Sequence, residues 1–97
     1  MLKIGPGPEG IVVVEGRLDA AQAAAAQSFL DGVAGRLTLD CARLEYISSA
    51  GLGVLLKTQK RLKAGGGSLR LAGMSPHVHD VFSYAGFDQI FEIVAAA

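Results

Sequence analysis

The first apolar cluster in the chain is Ile11-Val12-Val13-Val14, a β-branched run closed by Glu15 and set apart from residues 1–4 by Gly5-Pro6-Gly7-Pro8-Glu9-Gly10. Short β-branched runs flanked by proline and glycine read as strands, so residues 1–4 and 11–15 are expected to be two strands joined by a turn. Asp19 precedes an alanine-rich stretch through Ser28-Phe29-Leu30 that ends near Gly32 and Gly35. Alanine is the strongest helix former and aspartate a good cap, which predicts a helix over residues 20–34 with Asp19 at its start. Leu37-Thr38-Leu39-Asp40-Cys41 then reads as an interior strand.

Past the paired serines Ser48-Ser49 the period changes to that of a helix, with Leu52, Leu55, Leu56 and Leu62 recurring on one face from Ser49 to about Ala64. Lys57, Lys60, Arg61 and Lys63 supply a polar side, and Gly65-Gly66-Gly67-Ser68 stops the helix before the strand 69–72. Ser75-Pro76 has the form of an N-cap followed by proline at the first helical position, opening a helix through Val78, Val81, Phe82 and Ala85 that Gly86 ends. A last strand is expected over residues 89–94. The alternation describes an α/β chain, α+β-like in detail, with a small mixed sheet of about four to five strands and about three to four helices mainly on one face. At 97 residues it is expected to form a single domain, 1–97.

Nine basic and nine acidic side chains cancel, so charge favours neither nucleic acid nor an anionic membrane surface. No apolar stretch approaches the ~20 residues needed to span a bilayer, and the first residues lack the apolar core of a secretory signal. A soluble, cytoplasmic protein without membrane insertion is expected. Cys41 is the lone cysteine and lies within an interior strand, which points to a packed thiol and away from redox chemistry.

Catalytic signatures are sparse. Gly51-Leu52-Gly53 lacks the third glycine of a dinucleotide fingerprint and lies within the helix, and Leu56 stands before Lys57 where a phosphate-binding loop has glycine. His77 and His79, two apart, point about 200° from each other on a helix and do not share a metal. Neither serine of the pair sits in a Gly-x-Ser-x-Gly elbow. No enzyme activity, metal or cofactor is expected. The position that stands out is the strand-to-helix junction, where Ser49 can either cap free backbone N–H groups or carry a phosphate that those groups and the helix dipole stabilise. Ser48 is expected to make loop hydrogen bonds, and Asp40 to serve its strand end structurally.

The stretch from Leu39-Asp40 through Ile47-Ser48-Ser49-Ala50-Gly51-Leu52-Gly53 resembles the phosphoserine loop of the STAS domain family, shared by anti-sigma factor antagonists and sulfate transporter tails. Glu15-Gly16-Arg17-Leu18-Asp19, Leu71-Ala72-Gly73-Met74-Ser75-Pro76 and Ala85-Gly86-Phe87-Asp88-Gln89-Ile90-Phe91 are similar to further family segments, so the resemblance spans essentially the whole chain. It implies a protein-binding regulator. An anti-sigma factor with serine kinase activity, itself holding ATP, would phosphorylate Ser49; a PP2C-type phosphatase would remove the phosphate; the unmodified form would bind the anti-sigma factor. Ser48 stands where the family pattern has aspartate.

Docking through Leu52, Leu55 and Leu56 would leave Gly51, Val54, Thr58 and Arg61 on the opposite, outward face, so these four, with Asp19, Ser48 and Ser49, are the expected partner-binding residues. The alternative is a constitutive STAS scaffold, such as the small subunit of an ABC-type lipid transporter, docked on an ATPase without modification.

Overall fold

The computed structural model of the protein describes residues 1–96. Strand β1 (Leu2–Pro6) turns through a 3-10 segment at Pro8–Gly10 into β2 (Val12–Leu18), and the two pair antiparallel. Helix α1 (Ala23–Leu30) carries the chain to β3 (Arg36–Ile47), which pairs parallel with β2. Helix α2 (Ser49–Ala64) leads to β4 (Ser68–Ala72), parallel to β3, and helix α3 (Pro76–Tyr84) with a second 3-10 turn (Phe87–Gln89) leads to β5 (Glu92–Val94), parallel to β4. The sheet order is β1-β2-β3-β4-β5. This is the expected mixed sheet, with five strands and three α-helices.

Alternation explains which side of the sheet is covered. Val12, Val14, Leu37, Leu39, Leu69 and Leu71 point inward and are buried. They join one hydrophobic cluster with Ala26 and Leu30 of α1, Leu52, Leu55 and Leu62 of α2, and Val78 and Phe82 of α3. Phe82 meets Phe91 edge-on at 5.5 Å between ring centroids, closing the core under β5. The opposite face is polar: Lys3, Glu15 and Arg43 form one cross-strand row, and Arg70 is paired with Glu92 at 2.9 Å.

Several boundaries differ from expectation. Helix α1 is shorter than 20–34, because residues 20–22 form a turn whose Gln22 N–H donates to Asp19 Oδ1 (3.2 Å) and the chain leaves the helix after Leu30. Strand β3 runs well past Cys41, to Ile47, by way of two register shifts against β2. An irregularity of this kind breaks the inside-outside alternation, which is why residues 42–47 gave no strand period. The final strand keeps only residues 92–94, the preceding residues being taken by the 3-10 turn.

Candidate functional site

Strands β2 and β3 end side by side, and their carboxyl ends hold the junction. Leu18 and Ile47 are register partners; the Ser48 N–H donates to the Leu18 carbonyl at 3.0 Å, and the Ser48 hydroxyl lies 3.4 Å from the same oxygen. Ser48 then takes extended backbone angles (φ −95°, ψ 174°) and its Oγ accepts the Gly51 N–H at 3.2 Å. Ser48 is therefore the N-cap of α2. Serine is among the strongest caps, so the first turn of α2 is satisfied by Ser48 itself.

This division of labour frees Ser49. It occupies the first helical position, its side chain is exposed, and among the described residues no hydrogen bond engages its hydroxyl. The first turn of α2 contains no acidic side chain, so the positive end of the helix dipole is uncompensated there. A hydroxyl so placed is open to a modifying enzyme, and a phosphate on it would sit where backbone N–H groups and the dipole favour negative charge.

The outward face expected from Gly51, Val54, Thr58 and Arg61 is corrected by the structure. Gly51 is buried, and a Cβ there would stand 2.6 Å from the Leu18 carbonyl oxygen and 2.9 Å from Ile47 Cγ1, so only glycine allows α2 to sit this close to the strand ends. Val54 is 6% exposed and Thr58 1%, the Thr58 hydroxyl donating to the Val54 carbonyl at 2.9 Å. Arg61 is exposed, yet its Nη2 donates to the carbonyls of Leu30 (2.7 Å) and Val33 (2.6 Å), tying α2 to the end of α1. Helix α2 packs on both the sheet and α1, so its buried arc is wider than its leucine stripe. Leu56, expected in the core, is only partly buried.

The accessible strip instead runs along Ser49, Ala50, Gly53 and Lys57, at helical spacings of three and four. Together with Ala23, Ala24 and Gln27 of α1, the last three line a shallow groove whose floor includes the nearly buried Val54. Gln27 Oε1 is buried without a hydrogen-bond partner among the described residues, while its Nε2 donates to Asp31 at 2.8 Å. Small residues in a groove let another chain's backbone come close. Sequence reasoning missed this strip because alanine and glycine carry no periodic signal.

Asp19 stands beside the junction, directly after Leu18. Arg17 Nε lies 3.8 Å from its Oδ2, and the Arg17 guanidinium is 4.2 Å from the centroid of the Tyr46 ring. Cys41 is fully buried, and its thiol is pushed up from 9.0 to about 12, first by burial and then by the neighbouring Asp40 carboxylate. It is a packing residue. Asp40 accepts the Ala42 N–H at 3.0 Å, supporting the irregular stretch of β3. His77 is exposed at the start of α3 and His79 is partly buried 3.5 Å from the Ser83 hydroxyl; no group of three or more metal-ligating side chains occurs among the described residues. No helix of the described residues is long and apolar enough to cross a membrane.

A family model described as "Mlab, STAS domain" matches residues 5–95. The chain is 48% identical over 58 residues to "Putative anti-sigma factor antagonist BtrV" of Bordetella bronchiseptica, a match covering 60% of this chain and 50% of that protein, so the chain spans about half the length of its curated relative. In three dimensions it superimposes on the unphosphorylated form of the anti-sigma factor antagonist SpoIIAA with a TM-score of 0.72 at 21% identity, covering 100% of this chain and 89% of that one. The phosphorylated form of SpoIIAA, from Bacillus, gives 0.68 at 21% identity, covering 96% and 90%. A sulfate transporter family protein of Wolinella succinogenes gives 0.78 at 20% identity, covering 95% and 82%. At these identities the structural likeness describes the fold.

Proposed function

The chain belongs to the STAS domain family, and from that premise we propose that it is an anti-sigma factor antagonist whose binding is switched by phosphorylation of Ser49. The unmodified protein binds, in the cytoplasm, an anti-sigma factor that is also a serine kinase; the kinase holds the ATP, and a PP2C-type phosphatase restores the free hydroxyl. The observation that carries this reading is the split between the two serines: Ser48 caps α2, leaving the Ser49 hydroxyl exposed and uncommitted at the first helical position. The name of the Bordetella relative supports the same class.

In this reading the chain catalyses nothing. It presents Ser49, the Ala50-Gly53-Lys57 strip and the α1 side of the groove to its partner, with Asp19 at the rim. Gly51, Thr58 and Arg61 act behind that surface by holding α2 in place, and the nearly buried Val54 forms part of the groove floor. A phosphate adds about −1.5 to −2 charges and three acceptor oxygens at the head of the strip, so a partner fitted to the bare hydroxyl meets bulk and charge.

The test is incubation of the purified protein with its cognate anti-sigma factor and ATP, followed by intact-mass and peptide measurement. One phosphate on Ser49 is expected, with Ser49→Ala still binding the partner and Ser49→Asp losing it. Absence of modification, together with stable co-purification of the bare protein with a transporter ATPase, would establish the constitutive scaffold in place of the switch. The fold is common to a transporter protein and to antagonists, so fold alone does not choose between them.

A further inference from the structure

The groove between α1 and α2 carries charge of one sign. Both helices follow neighbouring parallel strands, β2 and β3, so both start at the same edge of the sheet, and the groove lies between their opening turns. Ala23, Ala24 and Gln27 form one wall and Ala50, Gly53 and Lys57 the other, with Val54 in the floor and about 450 Å³ of space between them. Neither helix has an acidic side chain in its first turn, and α1 has no charged side chain from Ala23 to Leu30. The positive ends of two helix dipoles therefore stand uncompensated at the head of the groove.

Lys57 is the charged side chain that lines the groove. It is exposed, and among the described residues no carboxylate pairs with it. The other cations of this part of α2 are placed differently: Lys60 and Lys63 do not line the groove, and Arg61 is engaged by the carbonyls of Leu30 and Val33. Asp31, just past the end of α1, receives the Gln27 amide at 2.8 Å, which leaves Gln27 Oε1 buried without a partner among the described residues. A groove walled by alanine and glycine lets another chain come close. Covering it strips water from the Lys57 ammonium, and a desolvated charge is costly unless an opposite charge meets it.

We infer that the groove takes an acidic surface of the partner, with a carboxylate set against Lys57 and small or apolar side chains laid over Ala24, Ala50 and Gly53. The occupant is the anti-sigma factor proposed above, so this rests on that reading and adds the chemistry by which the partner is recognised. It also gives the switch a mechanism specific to these residues. A phosphate on Ser49 adds about −1.5 to −2 charges at the head of the groove, more than the single charge of Lys57 offsets. The groove turns from positive to negative, and the acidic surface that it attracted is repelled.

The test is the affinity of the unphosphorylated protein for its cognate anti-sigma factor, measured by titration calorimetry from low to high salt, with urea midpoints to confirm that each variant folds. Lys57→Glu is expected to weaken binding roughly tenfold or more at low salt, with Lys57→Gln between and Lys57→Arg close to the parent. The parent's affinity is expected to fall as salt is added, and that of Lys57→Gln to fall less. Lys60→Glu makes the same charge change on the same helix outside the groove and is expected to cost roughly threefold at most. The inference is overturned if Lys57→Glu binds as tightly as Lys57→Arg, or if Lys60→Glu costs as much as Lys57→Glu. It is also overturned if the bare protein dimerises in sedimentation and Gly53→Arg abolishes the dimer, which would give the groove to a second copy. Phosphate transfer to Ser49 with charge-independent binding would leave the switch standing and remove the acidic occupant, whereas failure of the anti-sigma factor to bind at all would remove both.

Discussion

At the scale of single residues, the adjacent serines have separate tasks, and the separation is measurable. Ser48→Ala removes the acceptor for the Gly51 N–H and should cost about 1 kcal/mol in urea unfolding, whereas Ser48→Asp keeps a cap and adds charge at the favourable end of the dipole, leaving stability equal or higher. Ser49→Ala, which removes no cap, should fall within about 0.5 kcal/mol of the parent. Cys41 gives a pH signature. Its folded thiol titrates at about 12 against 9.0 ordinarily, so the folded state holds the proton more tightly than the unfolded state. Stability from this group is complete below pH 9.0 and is lost progressively as pH rises towards about 12. Unfolding midpoints of the parent should therefore decline more steeply across that window than those of Cys41→Ala, and native Cys41 should resist alkylation at neutral pH. The junction was legible in the sequence as a place where a hydroxyl meets a helix start; which serine caps was not, because the choice depends on a carbonyl from Leu18, thirty residues away in sequence.

At the scale of elements, α2 shows what a periodic pattern can and cannot convey. Leu52, Leu55 and Leu62 identify its core-facing line correctly. The remaining burial is silent in composition: Gly51 has no side chain to count, and Thr58 enters the interior because its hydroxyl is satisfied by the Val54 carbonyl one turn back. A leucine stripe marks the sheet-facing side, while contact with α1 recruits small and polar residues that read as surface. Arg61 belongs to this second contact. Its Nη2 donates to the carbonyl of Leu30, which also accepts the Val33 N–H at 3.0 Å, and to that of Val33, just past the end of α1. Arg61→Ala should therefore cost about 1 kcal/mol, the bonds being partly solvent-screened, and should speed amide exchange over the last turn of α1 while leaving β4 protected. If Arg61 were instead a free surface contact, exchange in α1 would be unchanged. Alternation served the strands well except in β3, whose register shifts hid half of its length.

At the scale of the whole molecule, the parallel strands β2 and β3 deliver their carboxyl ends to one edge, where open α/β sheets commonly place their working loops. Asp19 and Ser48 sit there because each directly follows a strand that ends in a buried residue, Leu18 and Ile47. The sheet gives this edge rigidity, so under the proposed function a phosphate at Ser49 would alter the surface without refolding the domain. The proposed docking strip can be separated from its buried support by two substitutions one residue apart. Gly53 has open space where a Cβ would be, so Gly53→Ala should stabilise α2, by up to about 1 kcal/mol from helix propensity. Gly53→Arg should leave stability near that of the parent while blocking the groove, and is expected to abolish partner binding in a pull-down. Val54, 6% exposed at the groove floor, should act mainly through packing: Val54→Ala should lower stability by roughly 1 to 3 kcal/mol while weakening binding far less than Gly53→Arg does. Undiminished binding by Gly53→Arg would move the partner surface off α2, and a Val54→Ala protein that is fully stable but cannot bind would restore the outward face that the leucine pattern first suggested.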